Sequence, residues 1–445
     1  MASSKPLINL FKGYPSPSLH PNEALKAAAL TVLNDREISV PGLSYGPDEG
    51  YGPLRTAIGE WLTKAYTSPA KPITADRIAI TGGASQNLAA TLGVFTDPNL
   101  TRAVWMISPT YYLACRIFDD AGFAGKLKAV PEDAEGIDLD QLEEGLAAAE
   151  AANESQATDS STNGTKTARP WRKIFSHIIY GVPTFANPSG KIMSIGHRER
   201  LIRLARKYNA LIITDDVYDM LCWSPATPEG SQVDKCVPRL VDIDRDLDGG
   251  PSDEFGNTLC NGSFSKIVAP GLRVGYCEAM PRLAWGIRRG TESMDFDPSV
   301  RPPHYRLVGK AHLRDTETDV SAKINKAVAC DPHFTIPWQQ DNNPTPSQLM
   351  GGYFIWLRLP DGLALSASAL AELAQREENL LFTPGESCKV DGAGGNETIC
   401  HGQDLERYIR LCFSYEDEEL FEEGAQRLAQ LIQRATQTTN LKTGN

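Results

Sequence analysis

Lys266 stands in the run Asn261-Gly-Ser-Phe-Ser-Lys-Ile-Val-Ala-Pro-Gly-Leu-Arg-Val-Gly-Tyr276. Two hydroxyls, Ser263 and Ser265, precede it, and Arg273 follows beyond a Pro270-Gly271 turn. Hydroxyl donors and a guanidinium fork suit a phosphate. A lysine amine can trap a carbonyl cofactor as an imine. The segment therefore reads as a site for a phosphorylated aldehyde. Its flanks are apolar or glycine, which argues against a solvated surface run.

Other stretches carry residues of the same kind. Leu211-Ile-Ile-Thr-Asp215-Asp216-Val217-Tyr218 is an apolar run ending in acid and phenol. Its bland reading is two acids capping a strand end in solvent. Gly82-Gly83-Ala84-Ser85 offers backbone N–H groups and a helix start to an anion. The Gly-x-Gly-x-x-Gly dinucleotide pattern is absent. Asn187-Pro-Ser-Gly-Lys191 is not a P-loop, because Phe185 stands where the first glycine belongs and Ile192 where Ser or Thr belongs.

These residues need elements to hold them. Pro21 opens a helix with Leu25, Ala28, Ala29, Val32 and Leu33 on one face. A loop at 45–52 precedes a second amphipathic helix carrying Leu54, Ile58, Trp61 and Leu62. From residue 77 strands and helices alternate. Strands are expected at 77–81, 103–107, 126–130, 174–180 and 210–214, and helices from Ala84, at 111–122, 138–150 and 195–208. Such alternation implies a mostly parallel sheet covered by helices, with ligands outside the C-terminal strand ends. Residues 151–170, polar and low in complexity, and 224–256, rich in Pro, Gly and Asp, read as surface insertions. Past residue 350 the pattern becomes a smaller α+β unit, with strands at 351–357 and 407–414, helices at 366–378 and 416–435, and a disordered tail from Thr436.

Composition narrows the function. With 445 residues the chain is too long for one ordinary core. A net charge of −12 without a basic cluster argues against nucleic acid as a partner. No run of about 18 apolar residues exists to span a membrane, and the N-terminus shows no apolar signal core. The nine cysteines are scattered without a Cys-x-x-Cys pair. They read as buried thiols in a reducing, cytoplasmic setting, with no metal site expected.

The motifs, taken in order, resemble those of the class I/II pyridoxal-phosphate aminotransferases, in the 2-aminoadipate and kynurenine aminotransferase-like branch. The likeness runs from about residue 7 to 432. It implies an α/β fold of type I, with a mostly parallel seven-stranded sheet between helices. The expected parts are an N-terminal segment to 45, a large cofactor domain at 46–285, a linker at 286–350, a small domain at 351–435 formed with the N-terminal segment, and a tail. Lys266 matches the family's cofactor lysine. Asp215 matches the aspartate at the pyridine nitrogen, chosen over Asp216 by spacing, and Tyr218 the ring-oxygen tyrosine. Asn187 matches the Asn-Pro-Ser/Thr-Gly asparagine, which donates to the ring oxygen and touches substrate, and its peptide to Pro188 can be cis. Tyr111 matches the ring-stacking aromatic, with Tyr112 as rival. Ala84, Ser85, Ser263, Ser265 and Arg273 make the phosphate cup. Tyr45 matches a tyrosine that crosses a dimer interface to the partner's cofactor phosphate. Arg410 matches the arginine that clamps the substrate α-carboxylate, ahead of Arg407 and Arg358, and Gly13 matches a substrate-side contact. Residues 286–312 depart from the family pattern, with little helical period and many prolines and charges.

The resemblance implies pyridoxal 5′-phosphate as cofactor, an amino acid and a 2-oxo acid as substrates, and a homodimer with shared active sites. A β-eliminating C–S lyase or an inactive, regulatory homologue would use the same ring-binding residues.

Overall fold

The computed structural model describes residues 5–44, 50–67, 70–156, 166–167, 169–223, 237–290, 350–390 and 404–443. Its centre is a seven-stranded sheet in the order Ile78–Thr81, Gly275–Ala279, Thr258–Ser263, Ala210–Thr214, His177–Gly181, Ala103–Ser108, Leu127–Pro131. Gly275–Ala279 runs antiparallel to both neighbours, and every other pairing is parallel. Sheets of this kind are covered on both faces, so their strands are continuously apolar. Ala210-Leu-Ile-Ile-Thr214 is such a run, buried at every position.

Helices close both faces. Gly52–Tyr66 buries Leu54, Ile58 and Leu62 on one side. On another face Ile195–Lys207 packs Leu201, Ile202 and Ala205 against Ile179 and Ile212. Ser194 caps that helix by accepting from the His197 N–H at 3.2 Å. Arg206 and Lys207 complement the dipole in its last turn.

The smaller unit holds a three-stranded antiparallel sheet, with Tyr408–Cys412 between Phe354–Arg358 and Thr383–Pro384. The N-terminal strand Ile8–Asn9 pairs in parallel with Leu380–Leu381. Ile8, Leu10, Leu370, Phe413 and Phe421 share one core there, so the chain's first strand is built into its last unit.

Several boundaries differ from the sequence reading. The helix Leu139–Gln156 runs on into the stretch read as an insertion from 151. Beyond it, the Lys166 ammonium donates to the Gly93 and Thr96 carbonyls, which end the helix Ala84–Phe95. Within the stretch read as an insertion at 224–256, Arg239 has no exposed surface. Arg239 donates to both oxygens of Asp242 at 2.9 Å and also to Glu278. Its guanidinium lies 4.1 Å from the centre of the Tyr66 ring. Of this stretch residues 237–256 are described, and they hold a short helix, Leu240–Asp244, a helical turn at Leu247–Gly249 and this buried ion network. The helix Pro281–Gly290 covers the start of the expected linker, while 291–349 lie outside the described residues. The last helix is Glu418–Thr443, so the expected tail continues it. Asn22–Asn34 is helical, yet none of its residues is buried, and Leu30 and Leu33 are exposed.

Candidate active site

Five strands of the large sheet point the same way, and each hands over to chemistry at its C-terminal end. Thr81 leads to the Gly82-Gly83 turn, Ser108 to Tyr111, Gly181 to Asn187, Thr214 to Asp215, and Ser263 to Lys266. The small sheet adds Arg410, and the N-terminal segment adds Gly13. Tyr111, Asn187, Asp215, Lys266, Arg410 and Gly13 line one cavity of about 260 Å³, and the Gly82-Gly83 turn leads into it through Ala84 and Ser85. Ala84, Ser85, Tyr218, Ser265 and Arg273 line it too, as does Tyr112 beside Tyr111. Tyr45 lies outside the described residues.

Lys266 is wrapped by aromatic rings. Its Nζ lies 5.8, 5.9 and 5.7 Å from the ring centres of Tyr14, Tyr218 and Tyr353. The ammonium donates to the Gly13 carbonyl, and the Tyr353 hydroxyl donates to the Lys266 carbonyl at 2.6 Å. Burial lowers the amine to about 8, partly opposed by Cys412 and Asp215. A neutral amine is thereby brought within reach of ordinary pH, which nucleophilic attack on a carbonyl requires.

Asp215 is buried rather than solvated, and so is Asp216. The solvent-capping reading of this acidic pair therefore fails. The Tyr180 hydroxyl donates to Asp215 Oδ2 at 3.1 Å, and Asn261 Nδ2 approaches Oδ1 at 3.4 Å. Asn87 in turn donates to Asn261 at 2.8 Å. Burial pushes the Asp215 carboxyl up to about 7, against the pull of the Tyr180 hydrogen bond and of Lys266. A cation placed against it would restore the carboxylate. Asp216 faces the other way, accepting from Thr214 and lying in the field of Arg239.

Arg410 is 5% exposed. Its Nη1 donates to Asn187 Oδ1 at 2.9 Å, and its Nη2 to Thr383 Oγ1 at 2.9 Å and the Phe11 carbonyl at 3.0 Å. The guanidinium carbon rests 4.2 Å from the centre of the Phe354 ring. Nε is buried without a partner among the described residues, so a donor is left over for a ligand. The rival arginines are engaged elsewhere: Arg407 serves the carbonyls of 359–365, and Arg358 pairs with Asp361 at 2.6 Å.

The anion turn is built around one glycine. Gly83 has φ +108, and a Cβ there would lie 2.6 Å from Arg273 Nη2. Arg273 donates to the Gly82 carbonyl at 3.0 Å, which holds the guanidinium over the start of the helix Ala84–Phe95. Ser263 and Ser265 hydroxyls lie 2.9 Å apart beside it. Hydroxyls, a guanidinium and a helix N-terminus form a donor set for a phosphate. With an amine and a carboxylate in the same cavity, the set fits a phosphorylated pyridine aldehyde.

Four contributors escaped the sequence reading: Tyr180, Asn261, Tyr353 and Thr383. Tyr180 and Asn261 did leave a signal, as hydrogen-bonding side chains inside strands buried at every position. Tyr353 and Thr383 left none: the Tyr353 role arises where the two units meet, and the Thr383 role from its pairing opposite Arg410 in the small sheet.

Residues 7–428 match the family described as aminotransferase class I and II. The chain belongs to that family, and it is an enzyme that moves an amino group between an amino acid and a 2-oxo acid in a pyridoxal-phosphate-dependent reaction. It is 33% identical over 412 residues to an uncharacterized protein of Saccharomyces cerevisiae, covering 86% of this chain and 89% of the yeast protein. It is 26% identical over 442 residues to the 2-aminoadipate transaminase of Thermus thermophilus, covering 96% and 90% of the two chains. The crystal structure of Pyrococcus horikoshii kynurenine aminotransferase superposes with a TM-score of 0.70 at 25% identity, over 97% of this chain and 92% of that one. Among the described residues no helix is long and apolar enough to cross a membrane.

Proposed function

We propose that the cavity at the strand ends binds pyridoxal 5′-phosphate and is where the amino group is transferred. When bound, the cofactor supplies an electron sink for the bond broken at the amino acid's α-carbon. Lys266 would hold the cofactor's aldehyde carbon through its amine. Once the substrate's amino group has displaced it, the freed amine would take the proton from the substrate α-carbon as base and deliver it, as acid, to the carbon that had carried the aldehyde. Asp215 takes the ring nitrogen, held by Tyr180 and Asn261. Tyr218 and Asn187 donate to the ring oxygen, and Tyr111 covers a ring face. Ala84, Ser85, Ser263, Ser265 and Arg273 hold the phosphate. Arg410 clamps the substrate α-carboxylate, with Asn187 and Gly13 beside it. The buried rings of Tyr218, Tyr353 and Phe354, with Tyr111, exclude water from the proton path.

The observation that carries this reading is the meeting of the Lys266 amine, the buried Asp215 carboxyl and the buried Arg410 guanidinium in one cavity. A homodimer belongs to the same reading, with Tyr45 of each subunit reaching the other's cofactor phosphate. The exposed Leu30 and Leu33 on an otherwise solvated helix support it. A cytoplasmic setting is supported by the six described cysteines, which are all buried and in no disulfide.

Lys266→Ala tests the assignment. Purified wild-type protein should show a yellow chromophore that borohydride fixes covalently to the chain. The variant should lose both that fixation and amino transfer. Full activity in Lys266→Ala would defeat the assignment. Turnover without any 2-oxo acid acceptor would mark elimination instead.

A further inference from the structure

We infer that Lys12 is the specificity residue of this site, receiving the distal carboxylate of a dicarboxylic amino donor or 2-oxo acid acceptor. The inference rests on the proposed reading of the cavity. Among the described residues the cavity is lined by four basic side chains, Lys12, Lys266, Arg273 and Arg410, and by one acid, Asp215. Three of the four have work in transamination: the cofactor's aldehyde, its phosphate, and the substrate's α-carboxylate. Lys12 has none.

Its position is fixed from both sides. The carbonyl before it, on Phe11, accepts from Arg410 at 3.0 Å, and the carbonyl after it, on Gly13, accepts from Lys266. The main chain at Lys12 is therefore set between the α-carboxylate clamp and the reacting amine, and the residue lines the cavity. Asn9 Oδ1 accepts from the N–H groups of both Phe11 and Lys12 at 3.1 Å, and the Ser414 hydroxyl donates to the Tyr14 carbonyl at 2.8 Å. The segment is thus tied at both ends to the unit that carries Arg410.

The ammonium itself has only a neutral partner. Nζ donates to the Tyr415 hydroxyl at 3.2 Å and lies 4.7 Å from that ring's centre. It forms no ion pair among the described residues. Because the Tyr415 oxygen accepts from Lys12, its own proton is directed elsewhere. The ammonium has three N–H donors and spends one on Tyr415, which leaves others for a carboxylate. An apolar substrate side chain laid against Lys12 would instead desolvate a charge whose partner is a phenol, which costs free energy. A carboxylate would pair with it. The flexible four-carbon stem lets the ammonium reach diacids of slightly different length.

The test uses the cofactor-loaded protein and two probe donors, L-glutamate and L-leucine, in the half-reaction without acceptor. The readout is the ratio of their efficiencies, so any loss common to both cancels. Lys12→Met should lower the glutamate-to-leucine ratio by about tenfold or more, the equivalent of about 1.4 kcal/mol. Lys12→Gln, which keeps a polar end, should lower it similarly, and Lys12→Arg should largely retain it. A ratio unchanged in both Lys12→Met and Lys12→Gln overturns the proposal. So does a wild-type protein that reacts with leucine and not with glutamate, which leaves the reading of the cavity intact. Failure of every donor to convert the wild-type chromophore removes that reading itself, and this proposal with it.

Discussion

Arg410 donates to Asn187 Oδ1 at 2.9 Å, joining the small sheet to a loop of the large one. A guanidinium has only donors, so the amide must present its oxygen to Arg410. Its NH₂ is then turned away and left to donate. One contact thus orients two groups, the carboxylate clamp and the ring-oxygen donor. Asn187→Asp keeps the size and the acceptor but adds a negative charge beside Arg410. The new carboxylate would compete with substrate for the guanidinium. Half-saturation by every amino acid donor should rise about tenfold or more, an effect of the size seen for charged hydrogen bonds. An unchanged half-saturation would show that Arg410 does not hold the α-carboxylate.

Gly83 allows Arg273 to lie over the anion turn, because only glycine combines its φ of +108 with so close an approach. Gly83→Ala would place a methyl 2.6 Å from Arg273 Nη2, where the guanidinium must move. The expected result is weaker binding of pyridoxal phosphate to the cofactor-free protein, by about tenfold, for loss of one charge-assisted contact. Fluorescence titration of the two proteins checks it. Equal affinity would mean that Arg273 serves the fold rather than the phosphate.

Arg239 makes a prediction about stability instead. It is fully buried, and so is Glu278, while the Asp242 side chain is 6% exposed. Removing one partner from a buried ion network leaves uncompensated charge and costs about 3–5 kcal/mol. Arg239→Ala should lose that much in urea unfolding, and loss of the Tyr66 stacking adds to it. A loss below about 1 kcal/mol would place the network in the range of surface pairs.

How much was visible beforehand follows from local physics. The parallel strands were legible because burial on both faces leaves a continuous apolar run, as in Ala210–Thr214. The fold class, the family and the reaction followed from motif order and agree with the comparisons. Arg239 was hidden because a buried arginine reads like a surface one until its partners, one of them 39 residues away, are known. Tyr353 was hidden for a similar reason: its hydroxyl meets the Lys266 carbonyl across 87 residues of chain. The exposed face of Asn22–Asn34 shows the opposite limit, since periodicity predicts a helix but not what covers it.

Glu132 carries the last prediction, a pH dependence of stability. It is buried at the end of the strand Leu127–Pro131, where it accepts from the Ser189 hydroxyl at 2.9 Å and lies 3.6 Å from Lys191. Burial pushes its carboxyl up to about 7, although Lys191 and Ser189 pull it down. The unfolded chain titrates this group near 4.5. The folded state therefore binds the extra proton between those values. The stability this group contributes is fully present below about pH 4.5 and is lost as pH rises through about 7. Asp215 and Asp219 are raised in the same direction, so the wild-type slope sums several groups. Glu132→Gln keeps an acceptor for Ser189 and cannot ionise, so comparing the two proteins isolates this one carboxyl. Relative to wild type, the variant should gain stability between pH 5 and pH 8, by up to about 3 kcal/mol at 1.36 kcal/mol per pKa unit. Urea unfolding of the cofactor-free proteins at both pH values measures the gain. Parallel pH profiles would mean that Glu132 is ionised in the folded protein throughout, with Lys191 as its full counter-charge.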